Sequence, residues 1–437
     1  MTRSPFTRSP LARLAGLTLV EVLIAMVMTL IVMFAMMEAF KYASGEMQKS
    51  RAVIEMSSQL RSAQELLRSD LEHITLDPKP WTQTALPKGY FEYVEGPRRD
   101  ATGSLASEKA NYSYLGDIDD IISFTVNRPE QPFRGRYNGN IIESPMAEII
   151  WWTHWDDRNG NNQVDFDESV SVYRRVLLIR PDLNDAQTGH LGAPASNADF
   201  LKYNDVSVGT VGNCWSANSL EDLGNRGNRF CHFIENNPAT ANGFPHILMR
   251  SNLIQSRMAA NNVATGDDVV LTNIAAFDVR VYSPNATVNV VNNLAIEPND
   301  VLVATGAPIV SPGPTYGAFV DLAHGRSAAS WFGGLPDDKS KLAYPFYLDQ
   351  ALTEYVYDTW TPFYENDGLD TNQNTDIDEG TNGVNDGGTP AVDETAERET
   401  MPPYPHPIRG LKVSLRLVEK NTKQVRQASV IHSFVPE

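Results

Sequence analysis

One segment constrains this chain more than any other: LTLVEVLIAMVMTLIVMFAMM, residues 17–37, with a single charged side chain. As a helix it is roughly 30 Å long, enough to cross the hydrocarbon core of a bilayer. The residues before it carry Arg3, Arg8 and Arg13 and no acid, which keeps the leader cytoplasmic and sends the bulk of the chain across. A secretory signal places its small-residue cleavage site after the apolar run. Here Ala15-Gly16 precedes it, so the expected product keeps its apolar helix. The negative mean hydropathy excludes a polytopic membrane protein, leaving one anchor and an exported body.

The charge inside the span is Glu21. A carboxylate in hydrocarbon costs about 2.5–3.5 kcal/mol on insertion scales, so the acid is either tolerated near the end of a plain signal anchor or kept for a partner. The string Gly16-Leu17-Thr18-Leu19-Val20-Glu21 resembles the processing site of type IV prepilins and type II secretion pseudopilins. The resemblance implies cleavage by a prepilin peptidase between Gly16 and Leu17, N-methylation of Leu17, and a role in assembly for Glu21 with Thr18 beside it. Leucine stands at the first mature position, where phenylalanine is commoner. In a filament, the Leu17 amine of an incoming subunit would be neutralised by Glu21 of a neighbour inside an apolar bundle. Loss of the leader removes three basic residues, leaving 33 basic against 54 acidic residues and a net charge of -21.

After residue 37 the apolar pattern becomes one-sided. Met47, Val53, Met56, Leu60, Ala63, Leu67, Leu71 and Ile74 recur mostly at three- and four-residue spacing, which predicts an amphipathic helix against a sheet or partner helices, ended by Asp77-Pro78. A coiled-coil homodimer is the alternative for this half. Further on, residues 117–127, 147–155, 169–180, 273–282, 410–418 and 424–434 read as strands, with Leu411, Val413, Leu415 and Leu417 alternating with polar neighbours. A helix followed by antiparallel strands predicts an α+β head. The order LTNIAAFDVRVY, Asp358-Thr359-Trp360, then Pro407-Ile408-Arg409-Gly410-Leu411-Lys412-Val413 is similar to the closing part of J-type minor pseudopilins, which implies a pilin-like fold. The expected organisation is a cleaved leader at 1–16, a transmembrane part at 17–37, an amphipathic part at 38–76 and a head at 77–437. Stretches near 181–268 and 285–400, rich in Asn, Asp, Gly and Pro, read as surface insertions in that head.

Composition limits the partners. The full chain of 437 residues has 36 Lys+Arg against 54 Asp+Glu, a net charge of -18, which argues against a polyanion such as nucleic acid and favours divalent cations. Asp157, Asn159, Asn161, Gln163, Asp165 and Glu168 occupy positions 1, 3, 5, 7, 9 and 12 of a calcium-type loop, with Asn162 where glycine is usual. An Asx-rich hairpin turn is the alternative. A second candidate holds Asp370, Asn372, Asn374, Asp376, Asp378 and Glu379, followed by a decayed copy, NDGGTPAVDE. Calcium in these loops would be structural.

Cys214 and Cys231 lack CxxC spacing, and a disulfide between them in an exported loop is expected to stabilise by about 3 kcal/mol. The eight histidines show no HxxxH or HExxH spacing, and GxSxG, Walker A and GxGxxG strings are absent. Arg174-Arg175 offers an anion site or a solvent-facing pair. These readings predict a non-enzymatic minor subunit of a type II secretion pseudopilus or type IV pilus, suited by its bulky head to a tip position. It would be single-pass in the inner membrane, with its head in the periplasm or outside the cell. Its partners would be the prepilin peptidase, other pilins or pseudopilins and the assembly platform. A pilus adhesin or a substrate- or DNA-binding subunit is the alternative, and a signal-anchored hydrolase a third class.

Overall fold

Helix α1 runs without interruption over Leu19–Leu71 in a computed structural model that describes residues 18–79, 88–96, 114–161, 164–165, 167–195, 200–232, 268–291, 294–297, 315–322, 355–359, 361, 365–366, 368, 370, 375–386, 391–393, 397–398 and 407–435. The chain divides into two units, 1–55 and 56–437. In the first unit, α1 is rich in Met, Ala, Leu and Glu and contains no proline, so no residue breaks the helix. None of residues 18–55 is buried. This is the one helix among the described residues that is long and apolar enough to cross a membrane.

The second unit is α+β. The remainder of α1 buries Met56, Leu60, Ala63, Leu67 and Leu71, one stripe at four- and three-residue spacing. The expected stripe is therefore shortened at both ends, because Met47 is exposed and α1 stops at Leu71. Beyond it the backbone turns to sheet partners: Asn127 donates to the His73 carbonyl, Thr75 to that of Thr125, and Ile74 bridges Val126. Backbone groups bonded to a strand cannot continue a helix.

Strands β1 (Phe91–Glu95), β2 (Ile121–Asn127), β5 (Met146–Trp155), β6 (Val170–Leu178), β9 (Val269–Thr272) and β13 (Tyr355–Asp358) form a six-stranded antiparallel sheet, ordered β13-β1-β2-β5-β6-β9. A second antiparallel sheet is ordered β11-β10-β14-β15, from β10 (Ile274–Val291), β11 (Leu294–Ile296), β14 (Gly410–Glu419) and β15 (Gln424–Ser433), with β12 (Thr315–Val320) also on β10. Two hairpins complete the strands: β3 (Phe133–Tyr137) with β4 (Asn140–Ser144), and β7 (Val208–Val211) with β8 (Cys214–Ala217). The β3-β4 turn is Asn138-Gly139, both at positive φ, as a two-residue hairpin requires.

The six-stranded sheet is covered on both faces. Phe91, Tyr93, Ile122, Phe124, Val126, Ile149 and Trp151 join the helix stripe and the second sheet in one core. The alternate residues Val94, Ile121, Ile150, Trp152, Tyr173 and Leu177 face a second cluster completed by Phe200 and Leu201 of α2 (Phe200–Tyr203), Trp215 and Phe230. Residues 200–232 thus supply a packed layer, where the polar composition of that stretch predicted a surface excursion. The far face of the sheet shows why. It buries Glu92, Glu148, Arg175 and Asp358, and this layer provides most of the partners that buried charges demand.

Candidate functional site

The N-terminal motif is described from Thr18 onward; Gly16 and Leu17 lie outside the described residues. Thr18 caps α1. Its N–H and hydroxyl donate to Glu21 Oε2 at 2.9 and 3.0 Å, and Glu21 N–H donates to Thr18 Oγ1 at 3.3 Å. This reciprocal pair is a capping box, which satisfies N-terminal donors that an apolar surrounding would leave costly. It also sets a negative charge at the positive end of the helix. Glu21 therefore has an intrachain use that the motif alone did not suggest.

Five of the first loop's six expected ligands can be placed in detail. Asp157 Oδ1 accepts from the N–H groups of Gly160 and Asn161 at 2.8 and 3.2 Å. The Asn159 and Asn161 side-chain amides converge on Asp165 Oδ2 at 2.7 and 2.9 Å. Glu168 is buried, and its two oxygens accept from the N–H groups of Arg158 and Asp165 at 2.9 and 3.1 Å, so it closes the loop through the backbone. Lys420, on the β14-β15 turn, donates to the Glu168 carbonyl. Gln163 lies outside the described residues.

In the second loop, Asn372 and Asn374 lie outside the described residues. Asp370 Oδ2 accepts from Thr375 N–H at 2.9 Å, with Thr375 at φ 93°. Asp378 accepts from Gly368 N–H at 3.1 Å, and fifteen residues on Asp393 accepts from Gly383 N–H at 2.8 Å. Both aspartates are at φ near 50° and both glycines at 78°. The sequence-level copy is thus matched by a repeated turn. Asp376 is exposed, whereas Glu379 is buried.

A further acidic group was not foreseen. Glu95 at the end of β1 and Asp117 and Asp120 ahead of β2 are buried, with carboxylate oxygens within 4.8 Å of one another. Asp120 accepts from Val279 N–H at 2.7 Å and Gly96 N–H at 3.3 Å. Burial, reinforced by Asp120 beside it, pushes the Asp117 carboxyl well above its usual range; burial and Glu95 do the same to Asp120. Three close carboxylates form a donor set for a hard cation. The run Asp117-Ile-Asp119-Asp120 held the signal, but read as the start of a strand it gave no hint of Glu95.

The remaining charged clusters are structural. Glu92 and Asp358 meet Arg226, Arg229 and His232, all nearly inaccessible, at 2.8 to 3.1 Å. Burial alone raises the Glu92 carboxyl, but His232, Arg226 and Arg229 together hold it well below the usual range. Burial lowers His232, against the pull of Glu92. Burial also lifts Asp358 to about 6 despite Arg229. Arg174 binds Asp70 of α1 through two nitrogens at 2.6 and 2.8 Å, and Arg175 binds Asp205 and Asp268 at 2.7 and 3.1 Å. The pair neither faces solvent nor offers an anion site, because alternate residues of β6 point to opposite faces and each face supplies an aspartate. The expected disulfide is not formed: Cys214 on β8 and Cys231, buried in the far-face cluster, are not bonded to each other. No family model, curated protein or solved structure matches this chain.

Proposed function

We infer that this chain is a non-enzymatic minor subunit of a type II secretion pseudopilus or type IV pilus, held in the membrane by α1 and cut between Gly16 and Leu17. The reading is carried by one observation. Among the described residues, the one helix of membrane length begins at the Thr18–Glu21 capping box, directly after the Gly16-Leu17 step, and its first 37 residues, through Glu55, bury no side chain. A cleaved leader would leave that capped helix as the mature N-terminus. The α+β unit supports the same reading, because a helix stripe packed on antiparallel strands is the pilin-like plan that the sequence resemblance implies. On assembly, Glu21 would exchange part of its Thr18 bonding for the Leu17 amine of a neighbouring copy. The prepilin peptidase, other pilins and the assembly platform are the expected partners.

Calcium is the cation we propose for the acidic loops. The first loop supports it through Asn159 and Asn161, whose side chains meet at Asp165, with Asp157 on the same turn, while Glu168 serves loop closure. The second is supported by the turn repeated at Asp378 and Asp393. Mass spectrometry of the mature protein tests the functional reading: an N-methylated Leu17 start is expected, and an intact leader or a cut after residue 37 defeats it.

A further inference from the structure

Residues 38–55 form a stem of α1 beyond the bilayer-length run, and none of them is buried. Its surface is not uniformly polar. Phe40, Met47 and Ile54 are spaced seven residues apart, hence on one face, and are 77%, 59% and 67% exposed. Ala43 and Ser50 lie between them on the same seam, while Glu38, Lys41, Glu46, Lys49, Arg51 and Glu55 occupy other positions. The heptad continues backward into the span as Met26, Thr29, Met33 and Met36. Large residues alternating with small ones every three and four residues make a seam into which a second helix can pack.

We propose that the stem pairs in parallel and in register with the stem of a second copy of this chain, along Phe40, Ala43, Met47, Ser50 and Ile54. Charge selects this partner. In a parallel pair, residues five apart on either side of the seam meet across it, and Glu46 and Arg51 stand in that relation. An antiparallel pair would bring like charges together instead. Among the described residues Arg51 has no ion pair, and Glu46 is held by Lys49 at 3.0 Å in an exposed contact, a kind that contributes little. The inference rests on reading α1 as membrane-inserted, which forces two copies to run parallel. Symmetric pairing of this kind differs from the staggered stacking of subunits along a fibre, so it describes copies in the membrane.

The test is oxidative cross-linking of the full chain in membranes, with the unmodified chain and its two native thiols as baseline. Met47→Cys and Ile54→Cys should form disulfide-linked dimers, because seam positions of a parallel pair fall within disulfide reach. Gln48→Cys and Glu55→Cys, one residue off the seam, should give several-fold less. Equal yields on and off the seam, or none on it, overturn the proposal. Glu46→Arg should lower the Met47→Cys dimer roughly two- to fivefold, in line with charge reversal at a coiled-coil flank, and adding Arg51→Glu should restore it. Failure of that rescue removes the charge pairing. Because the leader cut is read separately by mass spectrometry, an intact leader with seam cross-links retained would break the pilus reading alone.

Discussion

Residues 19–55 and 56–71 belong to one uninterrupted helix, yet their side chains meet opposite fates. The first part exposes Leu23, Ile31, Phe34, Met37 and Phe40, whereas the second buries Leu60, Leu67 and Leu71. Helicity is the same in both, because it depends on backbone hydrogen bonds and on the absence of breakers. What differs is the pattern of side chains around the cylinder. The all-round apolarity of residues 19–37 has no protein core to enter and suits lipid, while the single stripe of the second part suits one packed face. One acid from each part follows the same division: Glu21 bonds to its own first turn, and Asp70 binds the sheet.

Asp70 gives the largest expected separation. Its carboxylate is buried and accepts from Arg128 at 2.8 Å, from Arg174 at 2.6 and 2.8 Å and from Trp151 Nε1 at 3.0 Å. Asp70→Ala leaves two arginines uncompensated and should cost the second unit about 3–5 kcal/mol, read by thermal unfolding of the full chain in detergent. Loss of under about 1 kcal/mol would show that water replaces the carboxylate. Leu67 and Leu30 make the next contrast. Leu67→Ala should destabilise by about 2–5 kcal/mol, while Leu30→Ala, on the exposed part, should leave the same transition unmoved; comparable losses would erase the distinction drawn above.

Acidity should act on the second part alone. Burial raises Asp358 from 3.8 to about 6 and raises Asp117 and Asp120 as well, so the folded state holds protons that the unfolded chain releases. The Asp358 contribution is full below 3.8 and is lost as pH rises through about 6, and Asp117 and Asp120 act in the same direction. Glu92, held below 4.5, acts in the opposite sense: its contribution is present above that value and is lost as pH falls through its depressed folded value. The melting temperature should therefore rise between pH 7.5 and 5.5 and fall again in strong acid. A profile that falls steadily from neutrality would reject the assignment. The smallest effect is in the first part. A Cβ on Gly45 meets nothing within 4 Å, so Gly45→Ala should stabilise the stem by about 0.5–1 kcal/mol, read as slower amide exchange over residues 40–50.

Much of the fold was legible because it is written in local periodicity. The six strands expected from β-branched and alternating runs correspond to β2, β5, β6, β10, β14 and β15. The β3-β4 hairpin is likewise local, marked by the pair Asn138-Gly139. Short strands such as β1 and β13 were not legible, since five and four residues carry too little pattern and are held by neighbours distant in sequence. Arg174-Arg175 shows the limit most plainly. Two adjacent cations look like one site, but a strand sends them to opposite faces, and only the fold supplies Asp70 on one side and Asp205 and Asp268 on the other.

The sequence by itself determined the apolar span, the position of the capping acid, the helix stripe and the α+β class, because each depends on residues near one another along the chain. The tertiary structure alone decided that residues 200–232 form a packed layer, that Glu95 joins Asp117 and Asp120, and that the buried charges have partners. Those outcomes depend on contacts between segments dozens to hundreds of residues apart. A buried charge selects its partner by proximity in space, which local sequence does not record.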